Sequence, residues 1–183
     1  ESLYDCTFDA TTSRWVSWYA GRQKYVIPND AVFHEIVVPT VDTIRNEHLM
    51  VLLLNNGHHV LCTGDTGTGK SVSVKKLLRT ELNQSSSSFQ SIILNFSAQT
   101  TANQSQDLID SKLDKRRKGV YGPPLGSKTI IFVDDLNMPA KEEFGAQPPI
   151  ELLRQWMDHG GWYDRGDNTF RNLVDILFVG AMG

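Results

Sequence analysis

The feature that most constrains this chain is a glycine-rich run of eight residues that follows a short apolar stretch. The run Gly64-Asp65-Thr66-Gly67-Thr68-Gly69-Lys70-Ser71 fits the pattern G-x-x-x-x-G-K-[ST] at every fixed position, and Val60-Leu61-Cys62 comes just before it. In such a loop backbone N–H groups turn inward, and glycine lets them approach phosphates because it has no Cβ. The pattern predicts a strand, a loop and a helix that bind a nucleoside triphosphate.

The residues after the loop support this interpretation over a glycine-rich turn without a ligand. Apolar residues recur there at helical spacing, namely Val72, Val74, Leu77, Leu78 and Leu82. The start of this helix adds the positive end of its dipole to the phosphate site. Lys70 is predicted to reach the β- and γ-phosphates and Ser71 to ligate Mg²⁺. We assign Lys75, Lys76 and Arg79 to solvent or to phosphate.

A second signal lies in an apolar run that ends in two carboxylates, Thr129-Ile130-Ile131-Phe132-Val133-Asp134-Asp135. Four consecutive apolar residues predict a strand buried on both faces, and the carboxyl ends of parallel strands are where open α/β sheets bind ligands. Asp134 is predicted to hold Mg²⁺ through water beside Ser71, and Asp135 to orient or deprotonate the attacking water. The alternative is an aspartate pair that only caps the next turn.

Length and charge narrow the class of protein. A chain of 183 residues fits one α/β domain with an N-terminal flank. A net charge of −3 gives no overall attraction to nucleic acid or to an anionic membrane, so we expect neither as a partner. The longest apolar stretch, residues 50–54, is too short for a membrane helix. Cys6 and Cys62 suit a reducing, cytoplasmic setting, with Cys62 a small buried thiol.

Residues 1–35 are predicted to form a separate flank. They are rich in aromatic residues and follow no single period, so we interpret them as an irregular segment whose rings pack in a core or at an interface. Base stacking on single-stranded nucleic acid is the alternative, but only Arg14, Arg22 and Lys24 accompany the rings. The aromatic residues are Tyr4, Phe8, Trp15, Trp18, Tyr19, Tyr25 and Phe33.

The folded part is predicted to span residues 36–183 and to begin with a helix. Thr40 is a suitable N-cap, and Asn56-Gly57 a suitable end. The helix is expected to turn four side chains toward a core: Val41, Ile44, Met50 and Leu53. The pair His58-His59 follows, and we interpret it as exposed loop residues because no further metal-ligand residues lie at suitable spacing.

The elements between the two motifs predict the order of the sheet. Residues 91–96 read as a second strand after a polar loop at 83–88, and residues 101 to about 113 as a helix. The strand that ends in Asp134 is therefore the third. This order favours ATPases in which a fourth strand, here residues 176–179, inserts between the first and the third. Small GTPases fit less well, since no Asn-Lys-x-Asp signature is present.

Three further segments complete the prediction. Lys115-Arg116-Arg117-Lys118 is interpreted as the solvated C-terminus of a helix, with a phosphate-binding patch as the alternative. Residues 149–157 predict an amphipathic helix with Ile150, Leu153 and Trp156 inward. Residues 160–163, Gly-Gly-Trp-Tyr, suggest a hairpin.

With these pieces in order, the sequence resembles an AAA+ module of a dynein heavy chain, most closely the third module of axonemal dyneins. The resemblance covers most of the chain from residue 36 onward. It is carried by these segments: Val38-Pro39-Thr40-Val41-Asp42-Thr43, the run from 64 to 71, Asn95-Phe96-Ser97-Ala98-Gln99-Thr100, residues 112–124 (KLDKRRKGVYGPP), residues 132–139 (FVDDLNMP) and residues 145–151 (GAQPPIE).

The resemblance implies a P-loop NTPase of AAA+ type, a parallel sheet flanked by helices that is truncated after its fourth core strand and lacks the lid subdomain. It implies ATP or ADP with Mg²⁺ as ligands, and adenine contacts from Val38, Pro39 and Thr40. It also implies neighbouring AAA+ modules of the same chain, microtubules, and dynein intermediate and light chains as partners. The implied locations are the cytoplasm, the cytoskeleton and the ciliary axoneme, and the third module regulates the motor.

Two departures from the wider family bear on activity. Many AAA+ ATPases carry glutamate where this chain has Asp135, and a carboxylate drawn back by roughly 1 Å can cost ~10²-fold in rate. The polar sensor that follows the fourth strand in many relatives is not evident in Gly180-Ala181-Met182-Gly183. We therefore expect slow hydrolysis. Because the fifth strand, the lid and any arginine finger of such a module are missing from the sequence, we also expect an isolated piece that is weakly folded and nearly inactive. The alternatives are a remodelling AAA+ ATPase of another family and a non-hydrolysing nucleotide-binding scaffold.

Overall fold

The computed structural model of the chain describes residues 3–20, 25–27, 36–80 and 88–183. Within it the chain divides into two units, residues 1–50 and residues 51–183. The predictions for Arg22, Lys24 and Phe33, for Leu82 and for the polar loop at 83–87 lie outside the described residues. The proposed boundary at residue 35 stays a prediction.

The first unit contains a short hairpin where the sequence suggested irregular structure. A 3₁₀ turn at Leu3–Asp5 leads into strand β1 (Cys6–Asp9), which pairs antiparallel with β2 (Arg14–Ser17). Asp9 makes the turn possible, because its carboxylate accepts hydrogen bonds from Thr11 and Thr12, which lower the pKa of Asp9 to about 2. The prediction of an irregular segment is therefore wrong for these residues.

The aromatic side chains of this hairpin do not form a core within the described chain. The rings of Phe8 and Trp15 meet edge to face at 5.5 Å, yet Trp15 is 60% exposed and Tyr4 is 74% exposed. Trp18 donates from Nε1 to the Tyr4 carbonyl at 2.9 Å. Core packing is thus the wrong interpretation of Tyr4 and Trp15, and packing at an interface stays a prediction.

Helix α1 (Val41–Asn55) begins and ends where the sequence predicts. The Thr40 hydroxyl accepts a hydrogen bond from the Thr43 amide at 3.2 Å, and Gly57, with φ of 79°, follows the C-terminal end. Of the four side chains predicted to face the core, Ile44 and Met50 are buried and Val41 is partly buried. Leu54 is fully buried, whereas Leu53 is 38% exposed. The helical period explains the difference, because at about 100° per residue Leu54 lies on the arc between Met50 and Ile44, whereas Leu53 lies outside it.

The second unit is built on a four-stranded parallel sheet. Its strands are β3 (Val60–Thr63), β4 (Ser88–Asn95), β7 (Ser127–Asp134) and β10 (Ile176–Met182), in the order β3-β10-β7-β4. The last strand lies between the first and the third, as predicted. Residues 130–133 of β7 are fully buried, as expected of an apolar run covered on both faces.

Helices cover both faces of this sheet. Helix α3 (Ala102–Asp110) and helix α4 (Pro148–His159) contribute Ile109, Leu153 and Trp156 to one hydrophobic cluster with Ile131 and Val133. The alternate residues of β7 point to the opposite face, where Lys75 of helix α2 (Lys70–Thr80) lies over the Phe132 ring. This is the layered α/β architecture of a P-loop domain. None of the helices in the described ranges is long and apolar enough to cross a membrane.

The basic run forms a strand, which corrects the prediction of a helix C-terminus. Helix α3 ends at Asp110, and β5 (Asp114–Arg117) pairs antiparallel with β6 (Val120–Gly122). Arg116 pairs with Asp175 and donates from Nε to the Pro123 carbonyl at 2.9 Å. These partners draw one arginine of the run inward, and strand alternation leaves its neighbours exposed.

A second sheet joins this hairpin to the one predicted after α4. Strands β8 (Gly161–Tyr163) and β9 (Phe170–Leu173) pair antiparallel, and β9 pairs parallel with β6, which gives the order β5-β6-β9-β8. Helix α3 holds this sheet through Asp110, which accepts from Trp162 Nε1 and from Arg171 Nη1, each at 3.1 Å. Burial raises the pKa of Asp110, and these two donors only partly offset the increase.

Gly161 is the glycine of this sheet that leaves the least room for a side chain. A Cβ built there would lie 2.0 Å from the Arg171 carbonyl oxygen of the facing strand. We predict that Gly161→Ala destabilises the chain by about 3 kcal/mol, the upper end of what overpacking costs. Chemical denaturation measures the change. Gly183→Ala adds the same methyl group where no atom lies within 4 Å, and it should leave the midpoint unchanged. An unchanged midpoint in Gly161→Ala would mean that the β8–β9 register is wrong.

Candidate nucleotide-binding site

The glycine-rich run forms the connection between β3 and α2, and φ is positive at all three of its glycines. Gly67 has φ of 84° and Gly69 has φ of 83°, conformations that side chains other than glycine rarely adopt. The Thr68 hydroxyl donates to the Asp65 carbonyl at 2.9 Å and closes the loop. Helix α2 starts at once, so its N-terminal amides and positive dipole end face the loop.

Lys70 lies within this loop. Its Nζ donates to the carbonyl oxygens of Gly64 at 2.5 Å and Asp65 at 2.7 Å, and it lies 3.4 Å from the Thr68 hydroxyl. The ammonium group is therefore held against the backbone and the hydroxyl of the loop itself. A lysine ammonium group beside the N-terminal amides of α2 forms a donor set that fits phosphate oxygens.

Ser71 and Asp134 meet across the cleft. The Ser71 hydroxyl at the start of α2 donates to Asp134 Oδ1 at 2.5 Å, although 63 residues separate them in the chain. The other carboxylate oxygen, Oδ2, accepts from Lys75 Nζ at 3.0 Å. The Asp134 side chain is only 10% exposed, so both partners matter for its charge.

The electrostatics of Asp134 follow from these contacts. Burial by itself raises the pKa of the carboxyl, but the hydrogen bonds from Ser71 and Lys75, together with the charge of Lys75, outweigh that effect and hold the pKa below its usual value. Asp134 is thus a carboxylate at neutral pH, with oxygens available to a hard cation.

Asp135 lies at the rim of the same cleft in an unusual conformation. Its φ is 54°, a left-handed value that aspartate and asparagine adopt more readily than other residues with a side chain. The Met138 amide donates to the Asp135 carbonyl at 2.9 Å, so the residue begins a tight turn directly after β7. The exposed side chain has access to water, as the predicted role requires.

The structure brings most of the predicted site residues to one cleft of about 280 Å³. Its lining includes Thr66, Gly67, Gly69, Lys70, Ser71, Asp134 and Asp135, together with Val72, Ala181, Met182 and Gly183. Gly64, Asp65 and Thr68 contact Lys70 within the loop. Val38, Pro39 and Thr40 belong to the first unit, where Thr40 caps α1, and their contact with adenine stays a prediction.

Lys75 is the site residue that sequence reasoning did not identify. It was assigned to solvent or phosphate, whereas the structure places its ammonium group on Asp134. The signal that would have found it is its spacing. Lys75 follows Ser71 by four residues and therefore lies on the same face of α2 as the hydroxyl that the motif assigns to Mg²⁺.

Comparison with known proteins identifies the family. The family described as the P-loop containing dynein motor region matches residues 25–183. The chain belongs to this dynein motor family. It is 56% identical over 170 residues to human dynein axonemal heavy chain 1, a match that spans 92% of this chain and 4% of that protein.

Further axonemal relatives match with similar coverage. The chain is 47% identical over 185 residues to human dynein axonemal heavy chain 3, across 100% of this chain and 4% of the relative. It is 46% identical over 183 residues to rat dynein axonemal heavy chain 12, across 99% of this chain and 6% of the relative. The dynein motor segment seen here thus spans a small part of each heavy chain that it matches.

The depressed pKa of Asp134 gives this dynein segment a testable pH dependence. Because the pKa of Asp134 is lowered in the folded chain, the ionised carboxylate stabilises the fold at pH values above the ordinary aspartate pKa. This stabilisation is lost as the pH falls through the folded-state pKa of Asp134. We predict that Asp134→Asn destabilises the chain at pH 7 and that the difference from the parent shrinks below about pH 4, near the ordinary aspartate pKa.

The measurement is denaturation across pH without nucleotide or divalent cation. Asp158→Asn makes the same substitution at an exposed position of α4 and controls for the loss of one charge. A difference between parent and Asp134→Asn that grows as the pH falls would contradict the assigned ion pair.

Proposed function

We propose that this chain is the third AAA+ module of an axonemal dynein heavy chain and that its cleft binds ATP or ADP with Mg²⁺. The observation that carries the proposal is the contact between Ser71 and Asp134, 2.5 Å across the mouth of the phosphate loop. A hydroxyl and a carboxylate match the hard oxygen ligands that Mg²⁺ prefers, several of which are usually water. The axonemal names of the matched relatives support the choice of motor.

Each residue of the cleft then has a distinct task. The loop amides of residues 64–71 and Lys70 bind the phosphates, while Ser71 directly and Asp134 through water hold Mg²⁺. The bound ion would neutralise charge on the phosphate oxygens. Val38, Pro39 and Thr40 contact adenine in this proposal.

Asp135 orients the attacking water, and two features support slow turnover. Its side chain is one methylene shorter than the glutamate that many AAA+ relatives carry, and its left-handed backbone fixes the direction of that short side chain. The site is therefore proposed as a regulatory one that retains nucleotide for long periods.

The parent would be a microtubule motor of the ciliary axoneme. In this proposal neighbouring AAA+ modules of the same heavy chain flank the cleft, and microtubules, intermediate chains and light chains associate with other parts of the parent. The axonemal heavy chains to which this chain is similar support the location in the cytoskeleton of the cilium. A scaffold that binds nucleotide without hydrolysis is the second candidate, because Asp135 is exposed and also forms a turn.

Nucleotide binding is tested at Lys70. Lys70→Ala removes a hydrogen bond to charged phosphate and should weaken ATP binding by about 10- to 150-fold, which corresponds to the roughly 1.5–3 kcal/mol of such a bond. Titration with a fluorescent ATP analogue, in the dynein heavy chain that carries this module, measures the loss. Lys112→Ala removes an exposed lysine outside the cleft and should not change affinity. Equal affinity in parent and Lys70→Ala would refute the assignment.

Hydrolysis is tested at Asp135 within the assembled motor. Asp135→Asn keeps a residue that tolerates the left-handed backbone and should lower single-site turnover by roughly 10²- to 10⁴-fold, the contribution of a general base, while ATP still binds. Asp135→Glu should hold or raise the rate because it restores the longer carboxylate. A turnover that responds to neither substitution would favour the scaffold.

A further inference from the structure

The second oxygen of Asp134 has a cation of the protein's own. Lys75 Nζ lies 3.0 Å from Oδ2, and the Lys75 side chain is 34% exposed while that of Asp134 is 10% exposed. A carboxylate that is so little exposed requires a partner, since an unpaired charge of this kind is costly. Lys75 supplies it from within α2 when no metal is bound.

Lys75 contacts an aromatic ring as well as the carboxylate of Asp134. Its ammonium group lies 5.9 Å from the centroid of the Phe132 ring, and Phe132 is fully buried in β7. An aromatic face attracts a cation. The contact therefore keeps Lys75 beside Asp134, while its partly exposed side chain leaves it a path to solvent.

Mg²⁺ and Lys75 would act on the same carboxylate. Ser71 donates to Oδ1 and Lys75 to Oδ2, so both oxygens already have a proton donor. An ionised carboxylate retains lone pairs for a further contact, and geometry alone does not exclude a hydrated Mg²⁺. The obstacle is charge, because a divalent cation beside Asp134 must tolerate a nearby ammonium ion or drive it away.

We propose that Lys75 is a resident counter-ion of Asp134 that competes with Mg²⁺ and thereby sets the metal affinity of this site. The inference rests on the proposed function, since it concerns the Mg²⁺ of the nucleotide site. Without metal Lys75 neutralises Asp134. With metal its charge weakens Mg²⁺ binding, so that Mg²⁺ is retained well only together with nucleotide phosphates.

The experiment separates the charge of Lys75 from its hydrogen bond. Lys75→Gln keeps an N–H donor and removes the charge, whereas Lys75→Arg keeps the charge. Lys118→Gln makes the same charge change in the exposed turn between β5 and β6. Hydrogen exchange of this segment, within the dynein heavy chain that carries it, reports local stability and is followed against Mg²⁺ concentration, first with Mg²⁺ alone and then with saturating ATP, with a chelator as reference.

We expect Lys75→Gln to lower the Mg²⁺ concentration at half-maximal stabilisation by about three- to tenfold, the order of effect of one unit charge removed near a divalent ion. Lys75→Arg and Lys118→Gln should match the parent. The proposal is overturned if Lys75→Gln needs as much Mg²⁺ as the parent, or more, for half-maximal stabilisation. It is also overturned if Lys118→Gln lowers that concentration as much as Lys75→Gln does. The third contrary result is that Mg²⁺ stabilises neither the parent nor Lys75→Gln.

The same samples separate this inference from the proposed function. ATP with chelator should stabilise the parent chain and should stabilise Lys70→Ala much less. If ATP stabilises neither protein while the Mg²⁺ series follows the expected order, the nucleotide site fails and the competition stands. If ATP behaves as expected and the Mg²⁺ series does not, only the role of Lys75 is overturned.

Discussion

The contact between Ser71 and Asp134 is the interaction on which the site depends. One partner opens helix α2 and the other ends strand β7, so the 2.5 Å hydrogen bond joins the phosphate loop to the edge of the sheet. Neither residue would be positioned without the parallel order of the strands, because that order brings the carboxyl ends of β3 and β7 to one side. In the order β3-β10-β7 one strand separates β3 from β7, and this separation leaves room for the cleft between the phosphate loop and Asp134.

Much of this arrangement could be predicted from sequence, and the reason is the strength of the local patterns. The glycine-rich run, the apolar residues 130–133 of β7 and the aspartate pair each specify a conformation or a position with little help from distant residues. The place of β10 also followed from the order of the elements. Predictions failed where tertiary partners decided the outcome. The basic run became a strand because β5 pairs with β6, which itself pairs with β9, a strand far along the chain.

Lys75 and Asp135 show a different limit of sequence reasoning. The residue type of Lys75 suggested solvent or phosphate, and only the helical spacing from Ser71 pointed to the carboxylate that it contacts. For Asp135 the sequence showed the side chain but not the backbone. A glutamate there would reach further, yet its left-handed conformation would cost about 1–2 kcal/mol, a cost that aspartate partly avoids. The reach of the side chain therefore favours glutamate at this position, whereas the backbone conformation favours aspartate.

Strand β10 connects these constraints. The Leu136 amide donates to the Ala181 carbonyl at 2.9 Å, so the turn that begins at Asp135 is fixed to the end of this strand. Glycine at position 180 lets the Phe178 ring and the Leu61 side chain of β3 pack against the backbone of β10, since a Cβ there would lie 2.9 Å from the ring and 3.0 Å from Leu61. Strand β10 thus helps to position the site as well as the sheet. Because β10 contacts both β3 and β7, a shift of that strand would move the phosphate loop and the Asp135 turn together.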